Sequence, residues 1–333
     1  MRLIHATIPL LGLTSVLISP VAAHAIQPVQ ISSTTAESYI SQTTTEDFVQ
    51  RGIQKLETGD FRGAIDDFNQ AIKIDPNSTL AYNQRGVANL NQGKIQNALD
   101  DFNQAIEIEP NLVPAYNNRG FVRLQMGDIQ GAIADFTKAI ELKPNLALAY
   151  NNRALIRIQM GDIQGAIADL NQAIKINPSQ AGYYHKRGRA YLQKGDIQKA
   201  IADFNQAIEI DPNLALAYND RGFARLEQGE LQQALADLNR AIAVNPNYAQ
   251  AYSNRGFVHL QQGDIQKALT DLNQAIEINP NYAQAYYGRG LTRVQLGNEE
   301  EAIADFQKAA DLSRQQGNMT LSQNAQQQIQ KLQ

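Results

Sequence analysis

The chain has 333 residues, 43% hydrophobic and 19% charged, which is ample apolar material for a large folded body and excludes a disordered polymer. A formal net charge of −4 and the lack of any basic tract argue against nucleic acid as a partner. The absence of cysteine excludes disulfides, thiol chemistry and a lipid-acceptor Cys.

Met1 and Arg2 precede a mostly apolar run from Leu3 to Val21, and Ala23 and Ala25 place small residues just before a cut at Ile26. Residues 1–25 are therefore expected to be a secretory signal peptide. The alternative is an uncleaved anchor, against which Pro9, Gly12 and Pro20 interrupt the run. After cleavage the chain is not expected to be an integral membrane protein. Its expected location is an exported compartment: a periplasm, a thylakoid lumen or the cell exterior. Residues 26–44 are rich in Ser, Thr and Gln without an apolar period and read as a flexible linker.

From residue 45 the chain repeats. Pro76, Pro110, Pro144, Pro178, Pro212, Pro246 and Pro280 follow one another at intervals of 34 residues, and glycines from Gly59 to Gly297 keep the same period. This divides the chain into eight copies, 45–78, 79–112, 113–146, 147–180, 181–214, 215–248, 249–282 and 283–316, the last without its proline. Within each copy apolar residues recur at helical spacing, predicting two helices. In the third copy Tyr116, Gly120 and Leu124 mark the first helix, and Ile129, Ala132, Ile133, Phe136, Ala139 and Ile140 mark the second. Gly127 can end the first helix and Asp128 cap the second; Pro144 stops that helix, and Asn145 is expected to cap the next copy. Small residues such as Gly120, Ala132 and Ala139 let the backbones approach, with Phe136 filling the gap. One helix pair cannot bury both faces, so copies must stack and the final face needs a cover. Residues 317–333 are expected to provide it as a capping helix, with Leu321, Ala325, Ile329 and Leu332 on one face.

Tyr82, Gly86, Ala98, Phe102, Ala105 and Pro110 of the second copy, with comparable residues in all eight, resemble the signature of the tetratricopeptide repeat family. Departures are mild: Ala154 replaces a glycine, Leu170, Leu238 and Leu272 replace the second aromatic, and Arg314 stands at the last proline position. The resemblance implies an all-α, right-handed superhelical solenoid of eight helix-turn-helix repeats whose first helices line a concave groove for peptides or protein surfaces.

Two charged rows are unusual for that family. Position 7 of every copy is arginine, including Arg85, Arg119 and Arg153, and position 23 is aspartate, including Asp101, Asp135 and Asp169. Both border the packed seam, so the rows are expected to meet as a structural ion-pair ladder. Arg153 could pair with Asp135 or Asp169. A rival reading is an arginine row that binds acidic groups, which leaves the aspartates unexplained.

The family's groove positions carry Asn83, Asn117, Asn118, Asn151, Asn152, Asn219 and Asn254, whose amides can donate to and accept from a peptide backbone. A plain solvated helix face is the alternative. Phe121, Phe223 and Phe257, with Val87, Leu155 and Leu291, offer apolar contacts to a ligand or are buried against neighbouring copies. The fifth copy differs, with His185, Lys186 and Arg189; together with Asn152 they form a candidate carboxylate pocket. Asn152 and Lys186 match two of the family's carboxylate-clamp positions, whereas Asn117, Phe121 and Gly182 depart from it, and Asp220 could neutralise the charge.

Beyond the leader only His185 and His259 remain as histidines, and there is no HExxH, CxxC, P-loop or GxGxxG motif. The Asp66-Asp67 and Asp100-Asp101 pairs read as solvated charge. The chain is therefore expected to be a non-catalytic interaction module for a protein or peptide, with no small-molecule substrate, cofactor or metal. The alternatives are a structural assembly factor for an envelope or membrane complex, or an accessory subunit of an enzyme complex.

Overall fold

The computed structural model describes residues 44–333. The expected signal peptide, and the expected linker apart from Thr44, lie outside the described residues. The described residues fall into two compact units, 44–176 and 177–333.

The first unit holds α1 (Thr45–Glu57), α2 (Phe61–Ile74), α3 (Thr79–Asn91), α4 (Ile95–Ile108), α5 (Val113–Gln125), α6 (Ile129–Leu142), α7 (Ala147–Gln159) and α8 (Ile163–Ile176). The second holds α9 (Ala181–Lys194), α10 (Ile197–Ile210), α11 (Ala215–Glu227), α12 (Leu231–Val244), α13 (Ala249–Gln262), α14 (Ile265–Ile278), α15 (Ala283–Gln295), α16 (Glu299–Gln315) and α17 (Met319–Leu332). No strand occurs among the described residues, and none of their helices is long and apolar enough to cross a membrane.

Each turn follows from its residues. Gly127 takes a φ of 80°, a left-handed conformation that ends α5 at no steric cost. Asp128 then caps α6 by accepting the amide of Gly131 at 2.9 Å. At the other end Pro144 cannot continue the helix, and α6 stops at Leu142. The expected cap by Asn145 is not formed: Leu146 occupies that place, with no side-chain cap bond. In the corresponding turns of other copies the asparagine lies one residue too early and its own amide is tied back, as Asn213 N–H is to Asp211 Oδ1 at 2.9 Å.

The core runs between the helices of each pair. Phe68, Phe102, Phe136, Phe204 and Phe306 are fully buried, as are Leu170, Leu238 and Leu272 where leucine replaces phenylalanine. Glycine is required opposite these rings, since a Cβ on Gly86 would stand 2.7 Å from the Phe102 ring. Complete burial of such side chains contributes about 1.5–3 kcal/mol each. Within each unit successive first helices touch: α3 meets α1 and α5, α11 meets α9 and α13, and α13 meets α15. Successive second helices share no comparable contact, so the first helices form the inner side of each stack. Asn318 caps α17, and Leu321 and Ala325 are buried in a cluster with Ala309, Ala310 and Leu312, with Ile329 and Leu332 packed at its edge.

Candidate interaction surface

The arginine and aspartate rows meet inside each copy. Arg153 Nε and Nη2 donate to the two oxygens of Asp169 at 3.0 and 2.7 Å, and Arg153 Nη1 donates to Thr137 Oγ1 of the preceding copy at 2.9 Å. Arg85 and Arg119 repeat the pattern with Asp101 and Asp135, reaching back to Asn69 and Asn103. Each guanidinium also lies over the aromatic ring three residues earlier, 5.8 Å from the centroid for Arg153 and Tyr150. The aspartates are buried and the arginines mostly so; their donors serve the seam rather than an acidic ligand.

The sequence reading missed a third member. Four residues after the arginine stands a second cation in most copies: Arg123, Arg157, Arg225 and Arg293 each donate through Nη1 to the same aspartate at 2.7–2.8 Å. Lys55 reaches Asp67 at 2.8 Å. Hydrogen bonds from Arg51 above all, aided by Lys55, hold the Asp67 carboxyl below its usual range despite burial. Asp101 behaves oppositely. Burial pushes its pKa up, and its second partner is the neutral Asn89 at 2.9 Å rather than a cation.

The asparagines expected to line the groove mostly bind one another. Asn118 Nδ2 donates to Asn83 Oδ1 at 3.3 Å, Asn152 to Asn117 at 3.4 Å and Asn254 to Asn219 at 2.9 Å, each joining one first helix to the next. Asn83, Asn117, Asn151 and Asn219 are buried, as is Asn254, while Asn118 and Asn152 are half-buried. The close approach of successive first helices removes these amides from the open surface. Phe121 and Phe257 are buried for the same reason; Phe223, Val87, Leu155 and Leu291 stay half-exposed.

The expected carboxylate pocket is altered by a carboxylate of its own. His185 Nε2 lies 2.8 Å from Asp220 Oδ2, Arg189 Nε lies 3.7 Å from the same oxygen, and Asn219 Nδ2 donates to the other at 2.9 Å. Burial alone would raise the Asp220 carboxyl, but hydrogen bonding to His185 and Asn219 and the charges of His185 and Arg189 outweigh it and hold it below the usual range. Lys186 stacks over Tyr183 at 5.9 Å, and burial lowers its pKa. His185 and Arg189 are thus compensated by Asp220 rather than left as a bare cationic site. Asn152 belongs to the first unit and the other three to the second.

The charge of Asp220 also acts on two phenols. Burial, reinforced by the Asp220 charge, pushes the phenols of Tyr248 and Tyr282 well above their ordinary range, although both residues keep partial exposure to solvent. They remain neutral donors; Tyr248 donates to Gln250 Oε1 at 3.3 Å. Both stand at the last position of a copy, just before a first helix, outside the helical positions that mark the family's groove. Their recurrence at an interval of 34 residues was the available signal. Arg189 beside Asp220 and the half-exposed rings of Phe223, Tyr248 and Tyr282 in the same unit present cationic, aromatic and hydroxyl groups, which suit binding rather than bond-making. Among the described residues no three His, Asp or Glu side chains are placed to hold a metal ion.

A TPR repeat family model matches residues 54–93, 154–195, 188–229, 224–263 and 258–297, and tetratricopeptide repeat models match 79–112, 113–146 and 283–332. Comparison with curated proteins finds no match. Among solved structures, a chain of the APC/C hetero-tetramer Cut9-Hcn1 is 19% identical with a TM-score of 0.58, over 75% of this chain and 53% of that one. This chain thus spans about half the length of that relative. A tetratricopeptide repeat protein from Parabacteroides merdae ATCC 43184 is 20% identical with a TM-score of 0.57, over 74% and 98% of the two chains. MamA is 31% identical over 48% of this chain and 94% of its own, with a TM-score of 0.42. With repeat models matching helix pairs from residue 54 to residue 332, the chain belongs to the tetratricopeptide repeat family, a scaffold typical of protein–protein interaction.

Proposed function

We propose that the protein is a non-catalytic scaffold, acting after export, that captures a peptide or protein partner on the first-helix face of residues 177–333. The observation that carries this reading is the part-exposed Arg189 guanidinium 3.7 Å from Asp220, in a unit whose Phe223, Tyr248 and Tyr282 rings stay half-exposed. The asparagine amides of the first helices largely satisfy one another, whereas this guanidinium and these rings keep exposure to solvent. Aromatic and arginine side chains are the residues that most often dominate binding energy at protein interfaces. The apolar leader with its small-residue cut site supports export.

Selecting binders from a displayed peptide library against the intact chain tests the surface. Arg189→Gln and Tyr282→Ala should each weaken the selected peptides at least tenfold, while Gln232→Ala on a second helix should not. Peptides indifferent to both inner-face changes would overturn the assignment. For export, N-terminal sequencing of protein from the cell envelope should begin at Ile26; an intact Met1 form confined to the cytosol would contradict it.

A further inference from the structure

The second-cation position lacks a lysine or arginine in three copies, which carry Asn89, Tyr191 and His259 there. In the copies carrying Arg123, Arg157, Arg225 and Arg293, the guanidinium lies between the buried aspartate and a further acidic side chain, with Nε 3.7 Å from Asp128, 3.5 Å from Asp162, 3.9 Å from Glu230 and 3.2 Å from Glu301. Three of these arginines also donate to a second-helix carbonyl, as Arg157 Nη1 does to Gly165 O at 3.1 Å. The copy with Asp264 and Asp271 keeps both carboxylates and substitutes His259 for the arginine.

The imidazole is too short to replace a guanidinium. His259 Nε2 stops 3.7 Å from Asp271 Oδ2, and Nδ1 is buried without a hydrogen-bond partner, 3.9 Å from Asp264. Asp271 Oδ2 accepts Arg255 Nε at 2.8 Å and no second donor, whereas Asp135, Asp169, Asp237 and Asp305 each take two arginines. A cavity of about 330 Å³ opens here, lined by Arg255, His259, Gln266, Lys267, Thr270 and Asp271. Gln266, Lys267 and Thr270 are exposed, so the cavity is reached from solvent, and Lys267 is engaged by Asp264 at 2.9 Å.

We propose that this notch is a socket for a guanidinium group, filled by an arginine side chain of a protein partner. The incoming group replaces the side chain that four other copies supply themselves: one N–H reaches the open lone pair of Asp271 Oδ2, and a second the carbonyl of residue 267. Arg255, Lys267, Asp264 and Asp271 are the charged groups facing His259. Burial, the largest influence, and the charges of Arg255 and Lys267 lower its pKa, so the imidazole is neutral near pH 7 and does not repel the ligand. A planar fork matches this pair of acceptors, which a lysine ammonium cannot span in the same way.

Amide NMR of the intact chain, titrated with N-methylguanidinium chloride at constant ionic strength, tests the site. Saturable shifts are expected at His259, Lys267 and Asp271, with methylammonium binding at least tenfold more weakly. His259→Arg, which supplies the chain's own guanidinium, should abolish saturation; Thr270→Arg at the exposed mouth should weaken binding at least tenfold and provides the second variant. Absence of saturable shifts, or identical shifts in both variants, would overturn the socket. A blocked Gly-Arg-Gly peptide should bind at least as tightly as free arginine, and a tenfold preference for free arginine would overturn the assignment to a partner's side chain.

Discussion

Arg153 grips both carboxylate oxygens of Asp169, sixteen residues later, while its remaining nitrogen reaches Thr137 in the preceding copy. One side chain thus closes its own helix pair and fastens that pair to its neighbour. Asp135, the other expected partner, is occupied by Arg119 and Arg123.

Removing Arg153 takes one of two cations from the buried Asp169 carboxylate; breaking a buried pair typically costs about 3–5 kcal/mol. Because Arg157 still holds Asp169, Arg153→Ala should fall near the low end, about 3 kcal/mol, in urea denaturation. A double-mutant cycle with Asp169→Asn should give a coupling of about 1 kcal/mol or more, and the cycle with Asp135→Asn close to none. Equal coupling to both aspartates would refute the pairing.

Asn89 is a weak point of the ladder, since Asp101 has one arginine where Asp135, Asp169, Asp237 and Asp305 have two. A carboxyl whose pKa is raised on folding favours the folded state when protonated, and that contribution is lost as pH rises from the unfolded value through the folded one. Asp67, held low, works in reverse: its stabilisation is present above the unfolded pKa and lost as pH falls through the folded one. Asn89→Arg should move Asp101 into the second class. We expect a gain of roughly 1 kcal/mol at pH 7, shrinking as pH falls below about 4. A variant no more stable than the parent at pH 7 would contradict this.

Tyr248 and Tyr282 carry the alkaline counterpart. Their folded pKa values lie above that of a free phenol, so they stabilise fully below about pH 10 and the contribution is lost as pH rises beyond it. Replacing both with phenylalanine should shift the alkaline unfolding midpoint upward and remove two late-titrating phenols from the absorbance change near 295 nm. An unchanged midpoint and an unchanged late phase would argue against the raised pKa values of these phenols.

Deleting residues 318–333 removes Leu321 and Ala325 from the cluster that covers Ala309, Ala310 and Leu312. Terminal copies of a stacked array need such a cover. The truncated protein should aggregate or show rapid amide exchange in α16, measured by light scattering and hydrogen exchange. A monomeric truncation with unaltered protection would show the helix to be dispensable.

The 34-residue recurrence of proline, glycine and small and aromatic residues determined the helix pairs and the stacking, because local periodicity reports which face of each helix must be buried. The two charged rows were legible for the same reason: identical spacing in every copy places them on one seam. The second cation was not, since Lys55, Asn89, Arg123 and His259 differ in type, and only the folded seam shows that they converge on equivalent aspartates. Tertiary structure also decided the fate of the groove. The separation of successive first helices sets whether Asn83 and Asn118 face a ligand or each other, and that distance is a packing result no single helix encodes. Asp220 illustrates it most sharply: its pairing with His185, 35 residues away, arises only when one first helix is laid against the next.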